Sequence, residues 1–357
     1  MPASKRKIAI IPGDGIGPEV VREATLLLEQ YQARGLPLEL WSLDLGADRY
    51  LRDGTTFPKE IRIAIQRECA AVLLGALGDP RVPTLEHARD ILFGMRFGFD
   101  LYANVRPVKA LHDRLVPLKG FGKKHVDFVV FRENTEGIYA SIGGQLRHGT
   151  PDEIAISEDI NTRKGVERIL RAAFDHARAR GLTRVHMADK SNAMRHAHEL
   201  WHRAFGEVAR DYPGIEAIHV YIDALCLYLV QDPSQFQVIV TNNLFGDIVT
   251  DLGAGLQGGL GMAASANLHP ADPGRVALFE PVHGSAPPLA GKNAANPFAA
   301  LLTVGMMLGH LGWPEEEGRI ERAVGEALEA GKCTRDVGGD LGTDAAGAAV
   351  RERLARG

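Results

Sequence analysis

The sequence predicts an α/β fold built around a mostly parallel β-sheet, and three observations support this prediction. Short apolar runs that favour strands alternate with segments whose apolar residues recur at helical spacing. The runs at residues 126–132 and 238–240 are apolar almost throughout, which is typical of strands buried on both faces of a parallel sheet. The 357 residues are enough for two domains or for one large α/β unit.

Strands and helices follow one another along nearly the whole chain. The predicted strands cover residues 7–11, 38–43, 70–74, 101–105, 126–132, 157–160, 183–188, 217–222, 238–240 and 276–279. The predicted helices cover residues 18–31, 58–68, 84–97, 162–179, 192–211, 223–230, 244–256, 298–311 and 315–329. Pro18 suits the first turn of its helix, and Pro213 ends the fifth helix. Gly13, Gly15 and Gly17 lack the G-x-G-x-x-G spacing, so they favour a tight turn over a dinucleotide fingerprint.

Composition excludes several classes of protein. Apolar residues make up 45% of the chain, which is ordinary for a globular protein. Its net charge of −4 does not indicate a protein that binds nucleic acids or membrane surfaces. The longest apolar run, residues 298–308, is shorter than the roughly 18 residues of a membrane span. Cys69, Cys226 and Cys333 match no metal or redox spacing and indicate free thiols in a reducing compartment. The charged start does not suggest a signal peptide, so we expect a cytoplasmic location.

Two aspartates on one predicted helix form the centre of a candidate site. Asp247 and Asp251 are four residues apart, which places them on one helix face about 5–6 Å apart, where like charges repel. A divalent cation with oxygen ligands would stabilise such a pair. A solvated helix edge is the alternative for the pair taken alone. Asp223, near the end of another predicted strand, is a third candidate carboxylate.

Other polar residues suggest the compound that such a cation would act on. Arg96, Arg106 and Arg132 would bind the carboxylates of a small polycarboxylate bidentately, although each taken alone is typical of a surface ion pair. Tyr139 and Lys190 are a candidate acid–base pair, for which a surface tyrosine and a solvated strand end are the alternatives.

Histidines contribute less to the predicted site. His283 lies in a Gly/Pro-rich loop after a predicted strand, where ligand contacts are common. His198 and His202 have the i,i+4 spacing of a metal-binding pair, but solvated positions on the helix are the expected interpretation.

Seven motifs occur in order along nearly the whole chain: IIPGDGIGPE at 10–19, NVRP at 104–107, RENTEGIY at 132–139, DK at 189–190, NLFGD at 243–247 followed by Asp251, EPVHGSAP at 280–287, and ANP at 295–297. Together they resemble the metal-dependent β-decarboxylating dehydrogenases, which include 3-isopropylmalate, isocitrate, homoisocitrate and tartrate dehydrogenases. The resemblance implies a two-lobed fold whose mostly parallel sheet spans discontinuous domains. Residues 1–101 and 258–357 would form the cofactor-side domain, and residues 102–257 the substrate, metal and dimerisation domain.

The resemblance also implies roles for individual residues. The implied sites are Leu92, Arg96, Arg106 and Arg132 for the substrate; Asp223, Asp247 and Asp251 for Mg²⁺ or Mn²⁺; Tyr139, Lys190 and Asp223 for catalysis; and Glu280, His283, Gly284, Ser285, Ala286 and Asn296 for NAD. Lys190 and Asp223 would come from the partner subunit of a homodimer. Lys190, directly or through Asp223 or water, would take the hydroxyl proton as hydride leaves, and Tyr139 would protonate the enolate carbon after CO₂ is lost.

Two features bear on the choice of substrate within the family. Leu92 and Phe93 fall where isopropylmalate enzymes present apolar side chains, which favours 3-isopropylmalate, oxidised to 2-oxoisocaproate in leucine biosynthesis. Arg89 falls where those enzymes usually carry an acid, and RENTEGIY is more like the isocitrate, homoisocitrate and tartrate branches. Tartrate, malate, homoisocitrate and isocitrate are therefore alternative substrates, and a catalytically silent metabolite-binding protein is the rival interpretation.

The choice between NAD and NADP depends on two further positions. Pro288 stands where NAD-dependent members usually carry an acid that bonds the adenosine ribose. The Lys-Tyr pair of NADP-dependent isocitrate enzymes is also missing, while Arg335 could meet a 2′-phosphate. NAD is the expected cofactor, with NADP as the alternative.

Overall fold

The computed structural model describes residues 5–356, in which strands and helices alternate as predicted. The strands are β1 (Arg6–Ile11), β2 (Leu38–Ser42), β3 (Ala71–Leu74), β4 (Ala103–Lys109), β5 (Asp127–Glu133), β6 (Gly143–Leu146), β7 (Ile154–Ser157), β8 (Arg184–Asp189), β9 (Glu216–Tyr221), β10 (Val238–Thr241), β11 (Ala264–Leu268) and β12 (Ala277–Pro281). The helices are α1 (Gly17–Ala33), α2 (Ala47–Asp53), α3 (Lys59–Glu68), α4 (Glu86–Gly98), α5 (Arg163–Ala179), α6 (Arg195–Ala209), α7 (Ile222–Gln231), α8 (Asn243–Gln257), α9 (Phe298–His310), α10 (Pro314–Glu329) and α11 (Thr343–Arg356).

The first of two compact units contains the chain up to Leu101, Pro107–Val126 and the chain from Ala254 onward. Its strands have the order β2-β1-β3-β12-β11, and all neighbours are parallel except β11 and β12. Ile8 and Ile10 of β1 pack into one apolar cluster with α1, α9, α10 and α11, whereas Ala9 and Ile11 pack into a second cluster with α3 and α4. The sheet is therefore buried on both faces, as a parallel sheet requires.

The second unit contains Tyr102–Arg106 and Asp127–Gly253. Its strands have the order β4-β5-β10-β8-β9, and β10 is parallel to both β5 and β8. Thr241 at the end of β10 is in register with Arg132 of β5 on one side and with Ala188 of β8 on the other. The residues that follow these three strands therefore lie at one carboxyl edge, which is where open α/β sheets bind ligands.

Several local features differ from the sequence-based expectations. Helices α2 and α11 and strands β6 and β11 were not predicted, and the strand expected at 157–160 instead ends at Ser157. In its place, Ile160 makes an isolated bridge to Gly137. All eight residues of strands β6 and β7 are exposed, so these strands lack the alternation of buried and exposed residues by which a strand is recognised in a sequence.

Residues 107–126 and 254–257 group with the first unit, whereas the sequence placed them in the second domain. Lys109 Nζ donates to Glu321 Oε2 at 2.6 Å, and the Arg114 guanidinium donates to the carbonyl of Val337, so residues 107–126 are bonded to the rest of the first unit. The backbone amide of Lys109 also donates to Gln257 Oε1 at 2.7 Å, which joins the two segments to each other. The three cysteines are free thiols, as expected. Within residues 5–356, no helix is long and apolar enough to cross a membrane.

Candidate active site

Asp247 on α8 is the centre of a cluster of predicted site residues in the second unit. Its Oδ1 accepts a hydrogen bond from Arg132 Nη1 at 2.5 Å and lies 3.4 Å from Arg106 Nη2. Its Oδ2 accepts a hydrogen bond from the Tyr139 hydroxyl at 2.8 Å. The structure thus joins one predicted metal ligand, two predicted substrate arginines and the predicted proton donor.

Both arginines of this cluster are buried, with 2% of Arg132 and 6% of Arg106 exposed. Burial of a guanidinium requires partners for its N–H groups, and neutral side chains supply several of them. Asn243 Oδ1 accepts from Arg132 Nε and Nη2 at 3.0 and 2.7 Å. Asn104 Oδ1 accepts from Arg106 Nε at 2.7 Å, and Thr250 Oγ1 accepts from Arg106 Nη1 at 2.6 Å.

Sequence reasoning did not assign a role to these partners, although Asn104 and Asn243 lie inside quoted motifs. Their positions could have indicated the role, because Asn104 lies two residues before Arg106 and Asn243 lies four residues before Asp247. Gly246 has a related role, because a Cβ at this position would lie 2.5 Å from Arg132 Cγ. Glycine therefore permits the buried arginine to lie across the first turn of α8.

Asp251, one helical turn beyond Asp247, has a different environment. Burial and the negative charge of Asp247 together raise the pKa of the Asp251 carboxyl. A cation held between the two carboxylates would remove this penalty, so the donor set suits Mg²⁺ or Mn²⁺. Among residues 5–356, the structure has no group of three or more His, Cys, Asp or Glu side chains that could hold a metal ion together.

Lys190 and Asp223 form a second cluster in the same unit. Lys190 Nζ lies 2.6 Å from Asp223 Oδ1, and this hydrogen bond lowers the pKa of the Asp223 carboxyl. Asp223 remains 66% exposed and Lys190 27% exposed. The two residues are therefore neighbours within a chain, and Asp223 is largely open to solvent whereas Lys190 is partly buried.

His198 supports the loop that carries Lys190. It is fully buried, and its Nδ1 accepts a hydrogen bond from the Lys190 backbone amide at 2.7 Å. Its Nε2 lies 3.2 Å from the amide nitrogen of Asn242 and 3.4 Å from Asp159. The expected solvated position is therefore wrong for His198, because tertiary contacts cover this face of α6.

The predicted cofactor residues and two predicted substrate residues lie in the first unit. Leu92 is half-buried on α4, and Arg96, one turn later, pairs with Glu280 of β12 at 2.7 Å. Asn267 Nδ2 donates to the same Glu280 oxygen at 2.9 Å. A predicted substrate arginine and a predicted cofactor residue are thus bonded to each other.

The loop after β12 lies against the glycine turn between β1 and α1. Ile16 N donates to the carbonyl oxygen of Ser285 at 2.9 Å. Gly15 has a φ of 58°, and a Cβ there would lie 2.0 Å from that same oxygen, so only glycine suits the contact. The glycines thus have the predicted structural role of a tight turn.

The same loop contains polar atoms that could face a cofactor. Burial lowers the pKa of the His283 imidazole, whose Nε2 is buried without a partner among the described residues. A side chain at Gly284 would meet open space, and Ala286 has a φ of 39° in the left-handed region. Asn296 donates to Asp336 at 3.0 Å, which fixes the far end of the loop. An unpartnered imidazole beside open backbone is compatible with a polar ligand such as a dinucleotide.

Comparisons with known proteins agree with this arrangement. Residues 7–350 match the family described as isocitrate/isopropylmalate dehydrogenase. A 3-isopropylmalate dehydrogenase of Thermobifida fusca is 44% identical over 92% of this chain and 93% of that protein, and one of Corynebacterium efficiens is 47% identical over 93% and 97%.

A solved structure supports the same assignment. The crystal structure of isocitrate dehydrogenase from Methylococcus capsulatus has a TM-score of 0.88 and 38% identity to this chain, covering 98% of this chain and 99% of that one. A match along nearly the full length, in sequence and in fold, shows the family. The chain belongs to the isocitrate/isopropylmalate dehydrogenase family and is a decarboxylating dehydrogenase.

Proposed function

We propose that this enzyme oxidatively decarboxylates 3-isopropylmalate, using NAD and Mg²⁺ or Mn²⁺, in leucine biosynthesis. The observation that carries the proposal is the shared name of its relatives, since proteins 44% and 47% identical over nearly the whole chain are called 3-isopropylmalate dehydrogenases. Three free thiols are in keeping with a reducing compartment, and we place the enzyme in the cytoplasm on that basis.

Helix α4 supplies an apolar surface suited to the isopropyl group. Leu92 lies one turn before Arg96, so both residues lie on one helix face. Phe93 stacks on Phe97 with 5.4 Å between ring centroids, which extends the apolar surface along the helix. Arg96 would bind a carboxylate of 3-isopropylmalate, and Leu92 on the same face would contact its branched alkyl group.

The chain's own residues would perform the acid–base chemistry. Arg96, Arg106 and Arg132 would hold the substrate carboxylates, and Lys190 would take the hydroxyl proton, with Asp223 beside it as a relay. Tyr139, whose hydroxyl already donates to Asp247, would protonate the carbon that loses CO₂. When bound, NAD accepts the hydride and the divalent ion, held by Asp223, Asp247 and Asp251, polarises the substrate oxygen.

We further propose a homodimer in which Lys190 and Asp223 act in the active site of the partner subunit. Two observations support this arrangement: the solvent exposure of Asp223 and a set of exposed apolar side chains in the second unit. These side chains are Ile142, Leu146, Ile154, Ile156, Leu227, Tyr228, Val230 and Ile248. Apolar side chains that gather in one exposed patch mark protein interfaces, so these residues are the candidates for the dimer contact.

The test of the substrate assignment is a panel of hydroxy acids assayed with Mn²⁺ and NAD⁺. We expect NADH to form fastest with 3-isopropylmalate. Leu92→Ala should lower kcat/KM for 3-isopropylmalate by roughly 10- to 100-fold and leave the value for malate nearly unchanged, because malate lacks the alkyl group. No turnover with 3-isopropylmalate, isocitrate, homoisocitrate, malate or tartrate would contradict the proposal.

A second candidate is isocitrate, which the exposed Arg89 favours. Arg89 lies seven residues before Arg96, so it shares that helix face and could meet an extra carboxylate. Arg89→Gln should leave turnover of 3-isopropylmalate unchanged. If isocitrate is the substrate, the same substitution should raise its KM by about tenfold or more.

The cofactor is tested by comparing NAD⁺ with NADP⁺ in the same assay. Arg335 precedes Asp336, which bonds Asn296 of the cofactor loop. We expect a preference for NAD⁺ that Arg335→Gln does not alter. A preference for NADP⁺ that is lost in Arg335→Gln would instead assign this arginine to a 2′-phosphate.

A further inference from the structure

A second set of arginines lies on α10 and α11 of the first unit, and none of them belongs to the candidate active site. Arg319 and Arg322 of α10 and Arg353 of α11 line a cleft of about 200 Å³. Ala323, Glu326 and Leu354 complete its lining. Ala323 and Leu354 are buried, so the floor of the cleft is apolar, and its charged lining consists of the three arginines and Glu326.

The guanidinium groups of this cleft retain unused hydrogen-bonding capacity. Within residues 5–356, neither Arg322 nor Arg353 has a carboxylate partner within 4.0 Å, and Arg353 Nη1 donates only to the carbonyl of Ala349, at 2.7 Å. Arg319 Nη2 is buried without a hydrogen-bond partner among the described residues. Arg322 is exposed and Arg353 is partly exposed, so their guanidinium groups can donate to an anion in the cleft.

Arg319 is held in place by buried neighbours. Its Nη1 donates to Glu316 Oε1 at 3.2 Å, and Glu316 Oε2 accepts a hydrogen bond from the Tyr31 hydroxyl at 2.8 Å. Only 7% of Glu316 is exposed, so this anchor belongs to the packed interior of the unit. An arginine anchored in this way has a fixed orientation at the wall of the cleft, so it loses less side-chain freedom when a ligand binds.

We propose that this α10–α11 cleft binds a small, multiply charged oxyanion of the phosphate type. Arginine matches phosphate and carboxylate groups through its planar set of donors, and three such groups around one cleft favour a ligand with more than one negative charge. The cleft volume exceeds that of several water molecules, whose share of liquid volume is about 30 Å³ each. The site is thus large enough for one phosphate group and retained waters.

Glu326 gives the site a distinctive property. Among the lining residues that the structure describes, Glu326 carries a carboxylate, and it lies four residues after Arg322 on the same helix. Its negative charge opposes an incoming anion. Neutral substitutions should therefore change affinity in opposite directions: weaker binding when an arginine is replaced, and tighter binding when Glu326 is replaced.

The experiment is a calorimetric titration of the full-length enzyme with inorganic phosphate, which does not depend on the identity of the substrate. We expect saturable binding that Arg322→Gln and Arg353→Gln each weaken by about tenfold or more, while Glu326→Gln tightens it several-fold. Arg67→Gln is the matched control, because Arg67 is exposed on α3 outside the cleft. The phosphate affinity of this variant should stay within about twofold of the wild-type value. Phosphate should also raise the Tm of the wild type and the control by about 1–3 °C.

Two outcomes would overturn the proposal. Binding that does not saturate, or that is the same in Arg322→Gln and Arg353→Gln as in the wild type, would indicate an adventitious ion or occupation of the active-site arginines. Weaker binding in all three cleft variants, Glu326→Gln included, would indicate a general effect on folding rather than electrostatics. Circular dichroism melting without phosphate checks that each variant folds.

Discussion

The two clusters of predicted catalytic residues in the second unit differ in how much of their environment the chain itself supplies. Around Asp247, the arginines are buried, and side chains of the same chain satisfy them. Around Lys190, the Asp223 side chain that pairs with it in the same chain is 66% exposed. The contact from the buried interior is made to the backbone of Lys190, whose amide donates to His198. The first cluster is preorganised within one chain, whereas the second is left open.

This difference supports a shared active site. An open lysine–aspartate pair gains little from its own attraction, because water and salt screen exposed charges. The same pair would gain strength if another surface excluded water from it. The exposed apolar residues of the β6–β7 hairpin and α7 are candidates for the interface through which a partner subunit would cover this pair. Three experiments test this contrast between the two clusters.

The largest effect is expected for Asp247→Asn. This change removes the counter-charge of two buried arginines, so we expect the free energy of unfolding to fall by about 3 kcal/mol. It also removes a proposed metal ligand, so kcat/KM should fall roughly 10³-fold. Urea denaturation and steady-state kinetics measure the two effects.

Asp251→Asn is the matched control for Asp247. Burial already raises the pKa of the Asp251 carboxyl, and neutralising it relieves repulsion by Asp247. Its free energy of unfolding should therefore be equal to or above that of the wild type, while metal binding measured by calorimetry should weaken. Equal destabilisation by both substitutions would mean that the Asp247 cluster is not preorganised as described.

A second experiment mixes two inactive variants. Lys190→Ala and Tyr139→Phe should each lose at least about 10²-fold in kcat, because each lacks one member of the acid–base pair. If a site combines Tyr139 of one chain with Lys190 of its partner, refolding the two together should restore about a quarter of the wild-type activity. Mixed protein as inactive as its parents would show that both groups act within one chain.

The smallest effect concerns acid stability of β8, the strand that leads to Lys190. Burial lowers the pKa of His186 to about 4 from the usual 6.5, and its ring packs on Phe236 at 4.7 Å between centroids. As the pH falls below 6.5, the unfolded chain takes up this proton first, so stability decreases until the pH reaches about 4. Between pH 6.5 and 5, the loss should be about 2 kcal/mol.

His186→Phe should remove this part of the acid sensitivity, as measured by urea denaturation at the two pH values. His176, whose pKa burial also lowers to about 4, remains in the variant and should preserve some sensitivity. His148→Phe is the control, because the His148 side chain is 76% exposed. An identical pH dependence in His186→Phe and the wild type would mean that β8 is open to solvent.

Some parts of the site could be predicted because they depend on local patterns. The i,i+4 spacing of Asp247 and Asp251 required only a helix, and the apolar run at 238–240 predicted the strand before it. His198 was misjudged for the opposite reason. Its burial depends on Asn242 and Asp159, which are distant in sequence and come together only when α6 packs on the sheet.

The alternation of strands and helices, the order of the motifs and the chemical types of the site residues follow from the amino-acid chain alone, because hydrophobic periodicity and residue chemistry are local properties. Which charges meet depends on how the chain folds. Asp247 is paired with Arg106, Arg132 and Tyr139, and Arg96 with Glu280, through parallel strand register and helix packing over separations of up to 184 residues. Such pairings produce no periodic pattern in the sequence, since each partner taken alone is an ordinary polar residue.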